Sequence, residues 1–371
     1  MTYLISIKTA MLIFPVIALL ITIPFILHQY HKYGSINPLR VLIIYSFILY
    51  MITIYFLVIL PLPNREEVFY KPNMIRLIPF SFIGDIIKES SLVISNPSTY
   101  LQALKEPCFY TVIFNIFMTI PFGMYLRYYF KYDFKKTILG SFLLSLFFEV
   151  TQITGLYFIY PYPYRIFDID DLIINTLGGV IGYFIMGIID NFLPTREEID
   201  NESIEKGKIV SGLRRIVIFN LDIFIWLIGY LLISIWVNLK YLMLITWILY
   251  YIVYPCLNRG QTLGSKFLNV KLEFSNHQLL KSSLYTIFLY LYYFGIVIAT
   301  FTLSEQVADI LRQNNLSTVS FHFILSIGII LFYAINIIAL IKNKEMFYDY
   351  LFKVKHQSTI KKEEDDSNEE D

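Results

Sequence analysis

The stretch R-I-F-D-I-D-D-L-I-I-N-T-L-G-G-V-I-G-Y, residues 165–183, decides the fold, because it is an apolar run that carries acidic and amide side chains. Its polar and small residues recur at helical spacing on one face: Asp168, Asp171, Asn175, Gly178 and Gly182. Glycines four residues apart let a neighbouring membrane helix approach closely. Charged side chains are costly in lipid, so their presence indicates a polar site between helices.

The whole chain has the composition of a membrane protein. Of its 371 residues, 56% are hydrophobic and 16% are charged, with a mean hydropathy of +0.59. A soluble domain carries about 25% charged residues, so this composition excludes a disordered chain, a nucleic-acid-binding protein and an ordinary soluble enzyme. The 30 Lys and Arg nearly balance the 29 Asp and Glu, and two cysteines cannot build a disulfide framework.

The apolar runs predict an all-α, polytopic transmembrane helical bundle. A bilayer takes about 20 apolar residues per helix, and about nine runs reach this length. They are residues 9–28, 40–62, 108–127, 137–160, 170–193, 216–237, 240–257, 282–303 and 318–341. Five of these spans precede a charged stretch in the middle of the chain, and four follow it.

The basic residues predict the orientation. If the N-terminus is outside, most of the 30 Lys and Arg lie in segments on the inner side, as the positive-inside rule requires. We therefore expect a multi-pass protein of the cell membrane with its N-terminus outside and its C-terminus in the cytoplasm.

Two polar segments divide the chain. The charged stretch 194–213 is typical of a structureless cytoplasmic linker between a transmembrane domain over 1–193 and a second one over 214–356. Residues 357–371 are rich in Asp and Glu and are expected to form a disordered acidic tail.

Further polar residues in the first domain share helix faces that point to one cleft. Glu149 lies midway along the fourth span, with Gln152 three residues later on the same face. Asn115 lies in the third span. With the N-terminus outside, these residues and Arg165 form a polar cleft open to the outer leaflet, in which Arg165 is able to pair with a carboxylate.

The residue types suggest roles in this cleft. Glu149 is the best general acid or base, and Asp168 and Asp171 are the other candidate catalytic carboxylates. Arg165 is the candidate contact for an anionic group of the substrate. The other candidate substrate-binding residues form a hydrogen-bonding wall and are Asn115, Gln152 and Asn175. The alternative is that these groups bond only to one another and lock the helices together.

Four motifs in the first domain resemble one family. N-I-F-M-T-I-P-F-G (115–123), S-L-F-F-E-V-T-Q (145–152), the 165–183 stretch and R-L-I-P-F (76–80) together resemble the VanZ-like family of bacterial membrane proteins. The resemblance covers roughly residues 40–193 and places the family's shared polar positions on the seven candidate site residues. It implies lowered susceptibility to the glycopeptide antibiotic teicoplanin and no established reaction. Arg76 stands where an Asn is expected.

The second domain resembles the RDD family, named for one Arg and two Asp. The matching positions are Arg215, Asp222 and Asp349, with G-x-T-x-G-x-K at 260–266 between the two acids. The resemblance covers roughly 213–356 and implies a domain that is often fused to others and has been suggested to move ions. Arg215 is expected to pair with Asp222 or Asp349, and the glycine-containing segment is expected to be a plain turn, because the phosphate-loop spacing is absent.

Motifs that the chain lacks narrow the chemistry. The sequence contains no H-E-x-x-H, C-x2-C or G-x-S-x-G, so it gives no support for a zinc site or for serine hydrolysis, and no cofactor is expected. The expected partners are membrane lipids or a lipid-linked cell-wall intermediate, with no nucleic acid, and the sequence leaves homo-oligomerisation open.

Three classes of function remain. The first is an envelope protein of the resistance type that binds or modifies a lipid-linked component through the outward cleft. The second is a proton- or cation-coupled transporter that uses Glu149 and Asp222 as protonatable groups. The third is a non-catalytic scaffold whose polar residues only join helices.

Overall fold

The structure, a computed structural model, describes residues 2–258, 260–274, 278–313 and 318–360. Its regular structure is almost all helical. The helices of the first half are α1 (Thr2–Tyr33), α2 (Pro38–Ile59), α3 (Ser81–Glu89), α4 (Tyr100–Ala103), α5 (Pro107–Tyr128), α6 (Phe134–Ile153), α7 (Gly155–Phe158) and α8 (Ile169–Ile189). Those of the second half are α9 (Arg196–Gly207), α10 (Gly212–Ser234), α11 (Leu242–Ile248), α12 (Tyr254–Leu257), α13 (Leu263–Phe267), α14 (Gln278–Tyr290), α15 (Ile296–Gln313), α16 (Thr318–Ile341) and α17 (Phe347–Phe352).

The predicted all-α polytopic bundle is confirmed. Within the described ranges, eight helices are long and apolar enough to cross a membrane. The predicted span 240–257 corresponds to a shorter apolar helix, Leu242–Leu257, in which a π-helical turn, Leu249–Val253, separates α11 from α12. The predicted span 137–160 is too long, because α6 ends at Ile153 and α7 continues the chain in the left-handed region.

The strands are short and form two pairs. β1 (Ile75–Arg76) lies parallel to β2 (Phe167–Asp168), with Arg76 opposite Asp168. β3 (Val270–Phe274) lies antiparallel to β4 (Val354–Ser358).

The chain divides into two compact units. Unit 1 comprises Met1–Thr22 and Pro38–Ile199, and unit 2 comprises Ile23–Asn37 and Asp200–Asp371, each over its described residues. In unit 1, one apolar cluster joins α2, α5 and α6: Ile54, Phe122, Leu126, Leu144 and Phe148. In unit 2, the corresponding cluster joins β3, β4, α14, α16 and the α17 region: Phe274, Tyr285, Leu340, Met346, Tyr348 and Val354.

The glycine stripe of α8 brings α5 unusually close. A Cβ atom at Gly178 would overlap the Thr119 side chain and the Ile116 carbonyl, and one at Gly182 would overlap the Ile120 carbonyl. Packing of the kind predicted from the glycine spacing is therefore confirmed. Because lipid provides no hydrophobic driving force between helices, such close van der Waals contact is a main source of stability.

The segment 194–213, expected to be structureless, contains α9. Thr195 accepts a hydrogen bond from the Glu198 N–H (3.1 Å), while Glu198 accepts one from the Thr195 N–H (2.7 Å), which is a capping box. Lys206 pairs with Glu202 one turn earlier at 2.6 Å. These local signals are visible in the sequence and outweigh the polar composition.

The predicted acidic tail falls largely outside the described residues. Gln357 and Ser358 belong to β4, and residues 361–371 are not described.

We predict that Gly182→Ala lowers stability by about 1–3 kcal/mol, the usual cost of overpacking, because the new methyl group meets a backbone carbonyl that cannot move freely. Thermal unfolding of the purified protein in detergent measures the effect. Gly229→Ala on α10 is the matched control: no described atom lies within 4 Å of its Cβ position, so its midpoint should stay level or rise slightly. Equal midpoints for the two variants would contradict the close α5–α8 contact.

Candidate functional site

All seven candidate residues of the first domain line one cavity in unit 1. The cavity has a volume of about 770 Å³ and is bounded by the end of α2, the segment around β1, and α5, α6 and α8. The predicted residues in its wall are Asn115, Glu149, Gln152, Arg165, Asp168, Asp171 and Asn175. Residues from distant parts of the sequence therefore meet at one site.

Glu149 is held at the junction of α6 and β2. Its side chain is 3% exposed, and its Oε2 accepts a hydrogen bond from the backbone N–H of Asp168 at 3.0 Å. One turn earlier on α6, the Ser145 hydroxyl donates to the Asp171 carbonyl (3.2 Å) and accepts from Asn175 Nδ2 (2.9 Å). These bonds join α6 to the first two turns of α8.

Asp171 is oriented by α5. Asn115 Nδ2 on α5 donates to Asp171 Oδ1 on α8 at 2.9 Å. This hydrogen bond can form because the two helices lie so close together. This bond uses one oxygen of the carboxylate.

Asp168 caps α8 at the rim of the cavity. Its Oδ1 accepts a hydrogen bond from the Asp170 N–H at 2.9 Å, as an N-cap residue does, and its Oδ2 lies 3.5 Å from Arg76 Nη1. Burial raises the pKa of Asp168, while the Asp170 N–H and the Arg76 charge act against the rise. Arg76 also pairs with Asp85, and the parallel pairing of β1 with β2 places it opposite Asp168.

Among the described residues, Arg165 bonds to a backbone carbonyl and forms no ion pair with a carboxylate. Its guanidinium is exposed, and Nη1 donates to the Val58 carbonyl at 2.8 Å. Gln152 Nε2 donates to the same carbonyl at 3.1 Å. The basic residue beside the rim carboxylate of Asp168 is Arg76, because the pairing of β1 with β2 brings the two residues together. They are far apart in the sequence, so local spacing does not predict this contact.

Asp170, which no spacing argument singled out, is a buried anchor. Its carboxylate accepts hydrogen bonds from the Phe80 N–H (2.6 Å), the Ser81 hydroxyl (2.7 Å) and the Phe82 N–H (2.9 Å). It thereby fixes the start of α3 to α8. The signal in the sequence was the second Asp of D-I-D-D together with a Pro-Phe-Ser turn, but their contact spans some ninety positions.

Residues 47–190 match the family model described as VanZ/LLP1. The matched residues, which we call the VanZ-like region after that model, include every predicted residue of the cavity. Several of them lie in apolar helices that are long enough to cross a membrane. No curated protein and no solved structure matches the chain. The family match does not extend to residues 213–356, so the RDD resemblance of that part stays a prediction.

Outside the VanZ-like region, Arg215 pairs with Asp349 and not with Asp222. Arg215 Nη2 lies 2.6 Å from Asp349 Oδ2, and Asp349 also accepts from Tyr285 Oη (2.9 Å) and the Met346 N–H (3.1 Å). Burial alone would raise the pKa of Asp349, but the hydrogen bond from His356 and the charge of Arg215 lower it to about 2.

Asp222 is enclosed by the glycine-containing turn. Its carboxylate accepts hydrogen bonds from Tyr250 Oη (2.7 Å), Thr262 Oγ1 (2.6 Å) and the Gly264 N–H (2.8 Å). The expected plain turn is therefore a carboxylate-binding turn, in which Thr262 also caps α13. Asp222 borders a second cavity, of about 310 Å³, within unit 2.

The residue next to Arg215 is a further structural centre. Arg214 is fully buried, and its guanidinium donates to the backbone carbonyls of Gly34, Gly207, Leu268 and Asn269. A guanidinium has several N–H donors, so one buried Arg can satisfy the backbone carbonyls of several chain segments at once. Family resemblance pointed to the neighbouring Arg215, and only tertiary contacts distinguish the two.

We predict that Asp170→Ala frees the start of α3. Three donors lose a charged acceptor, so limited digestion by trypsin at Arg76 and Lys88 in detergent should become about tenfold faster or more. Asp309→Ala, which removes an exposed carboxylate of α15, is the control and should digest like the wild type. Unchanged digestion of Asp170→Ala would show that this carboxylate does not anchor the segment.

We predict that Asp349→Asn destabilises unit 2 in a pH-dependent way. Because its pKa is lower in the folded state, the carboxylate stabilises the fold above its unfolded pKa of about 4, and the effect is lost as the pH falls towards about 2. The variant should therefore be less stable than the wild type by about 2 kcal/mol at neutral pH, with a difference that shrinks below about pH 4. Unfolding in detergent across this range measures it, and a pH-independent difference would refute the assignment.

Proposed function

We propose that this VanZ-like membrane protein lowers bacterial susceptibility to teicoplanin-type glycopeptides. In this proposal, the unit 1 cavity binds, or binds and modifies, a lipid-linked component of the cell envelope. The observation that carries the proposal is the convergence of seven polar residues, from α5, α6, α8 and the segment before α8, on one cavity.

The polar groups of the cavity suit a phosphate-bearing ligand with further polar groups. Arg165 has exposed guanidinium N–H groups beyond the one that donates to Val58, and these suit an anion. Asn115, Gln152 and Asn175 supply amide groups along the wall. If a bond is made or broken, Glu149 is the group we assign as general acid or base, since one of its oxygens is held by a backbone N–H in the cavity wall.

The surroundings of the cavity favour an amphiphile. Ile75 and Ile166 are more than half exposed and flank Arg76 and Arg165, while Leu77 and Ile78 continue the apolar surface. Under the predicted orientation, with the N-terminus outside, this mouth opens at the outer leaflet, where glycopeptides act. A lipid-linked ligand could then enter from the membrane itself.

The transporter alternative has less support. It requires Asp222 as a protonatable group, yet this carboxylate already accepts hydrogen bonds from three donors, Tyr250, Thr262 and Gly264. Such saturation is typical of a structural carboxylate. A scaffold would tolerate substitutions in the cavity that leave the helices packed, so the effect of such substitutions distinguishes a scaffold from a protein that binds a ligand.

We predict that expression of the wild-type protein in a sensitive bacterium raises tolerance to teicoplanin. Glu149→Gln, and the double substitution Arg165→Ala with Asp171→Ala, should return susceptibility to that of cells without the protein, because they remove the charged groups of the cavity wall. Growth in graded teicoplanin, with vancomycin in parallel and membrane levels matched by blotting, measures the effect.

Glu66→Gln is the control, since Glu66 is an exposed carboxylate of unit 1 outside the cavity wall, and it should protect like the wild type. If the wild type gives no tolerance, the resistance proposal fails. If wild type and cavity variants protect equally, the cavity residues serve only to join helices.

A further inference from the structure

The inner wall of the unit 1 cavity carries hydrogen-bond acceptors that lack donors. Glu149 and Asp171 each use one carboxylate oxygen, for the Asp168 N–H and for Asn115 respectively. Within the described chain, no donor bonds to the second oxygen of either. The Asn175 side chain is 4% exposed, and its Oδ1 is buried without a hydrogen-bond partner among the described residues.

Three basic residues line the cavity, but among the described residues none forms an ion pair with Glu149 or Asp171. Arg76 is engaged by Asp85 and Asp168, and Arg165 donates to the Val58 carbonyl and acts on the two acids only through its charge at longer range. Lys71 is the third basic residue of the lining. Glu149 and Asp171 form no ion pair in the part of the chain that the structure describes. Two neighbouring carboxylates, one buried and one half-buried, stay ionised together only at a cost, so a ligand that brings positive charge stabilises the ionised pair.

A second orphan group in the cavity wall is a donor. The Tyr164 hydroxyl is buried and has no partner among the described residues, although Tyr164 lines the same cavity beside Arg165. Burial raises the pKa of Tyr164 to about 12, so the hydroxyl keeps its proton at neutral pH. Buried polar groups usually have a hydrogen-bond partner, so Asn175 Oδ1 and the Tyr164 hydroxyl are groups of the wall that a ligand can bond.

We propose that the cavity binds the zwitterionic headgroup of a membrane lipid that carries a primary ammonium close to a phosphate diester. The ammonium donates its three N–H groups to Glu149, Asp171 and Asn175, and the phosphate accepts from Arg165 and Tyr164. This inference rests on the proposed function, which puts a lipid ligand in the cavity, and it specifies the headgroup. A sugar hydroxyl would satisfy the acceptors but would bring no positive charge to the two acids.

The test is direct binding to the purified full-length protein in detergent, measured by isothermal titration calorimetry. The first two probes are a short-chain phosphatidylethanolamine and its N-acetylated form, which keeps the phosphate but loses the positive charge of the ammonium. The other two are a short-chain phosphatidylglycerol and the chain-free headgroup glycerophosphoethanolamine. We expect the phosphatidylethanolamine to bind about tenfold or more tightly than the N-acetylated form and the phosphatidylglycerol. The chain-free headgroup should bind more weakly than the lipid, because it lacks apolar contacts.

The variants separate the two ends of the headgroup. Glu149→Gln with Asp171→Asn should remove the preference for the ammonium form. Tyr164→Phe should weaken phosphatidylethanolamine and its N-acetylated form alike. Because the Tyr164 hydroxyl has no described protein partner, this variant should fold normally and keeps the test valid if the acidic variant does not fold. Glu66→Gln should bind like the wild type.

Three results would overturn the inference: equal binding of the N-acetylated lipid, equal binding of phosphatidylglycerol, or tight binding of Mg²⁺ that depends on Glu149 and excludes the lipid. Each of these could coincide with full teicoplanin protection, in which case the proposed function stands with another ligand. The reverse pattern, selective lipid binding without protection, would refute the resistance role and leave the headgroup site intact.

Discussion

The close contact between α5 and α8 is the constraint on which the rest of unit 1 depends. Gly178 and Gly182 present bare backbone to the carbonyls of Ile116 and Ile120, so the two helices are nearer than side chains would allow. In lipid, where apolar burial drives little association, this packing and the polar bonds that it permits hold helices together. The same closeness puts Asn115 within 2.9 Å of Asp171, and the packing surface therefore determines the geometry of the polar wall.

The cavity follows from how α8 begins. Asp168 ends β2 and caps the helix, Asp170 turns towards the start of α3, and Asp171 faces α5, so three acids within four residues act in three directions. The β1–β2 pair then closes the rim by bringing Arg76 to Asp168. One oxygen of Glu149 and one of Asp171 hold the framework, and the other oxygen of each has no donor among the described residues.

Periodicity predicted what lies along one helix, and it could not predict what lies across the fold. The glycine stripe, the shared face of Glu149 and Gln152, and eight of the nine predicted spans are local patterns that recur in the described structure, although the fourth span is shorter than predicted. The choice of Arg76 over Arg165 as the partner of Asp168, and the choice of Asp349 over Asp222 as the partner of Arg215, depend on strand pairing and a distant turn. Helix α9 is different, because its capping box is a local pattern of the sequence, and this pattern predicts a helix better than the polar composition of the segment predicts a linker.

The degree of hydrogen-bond satisfaction separates the buried acids into two kinds. Asp170, Asp222 and Asp349 each have three or more donors, and each joins segments that are distant in sequence. Glu149 and Asp171 are half-satisfied, beside an Asn175 oxygen and a Tyr164 hydroxyl that have no partner in the described chain. Incomplete pairing of buried polar groups is costly in a low-dielectric interior. That contrast is why we propose ligand binding at the unit 1 cavity and structural roles for Asp170 and the two acids of unit 2.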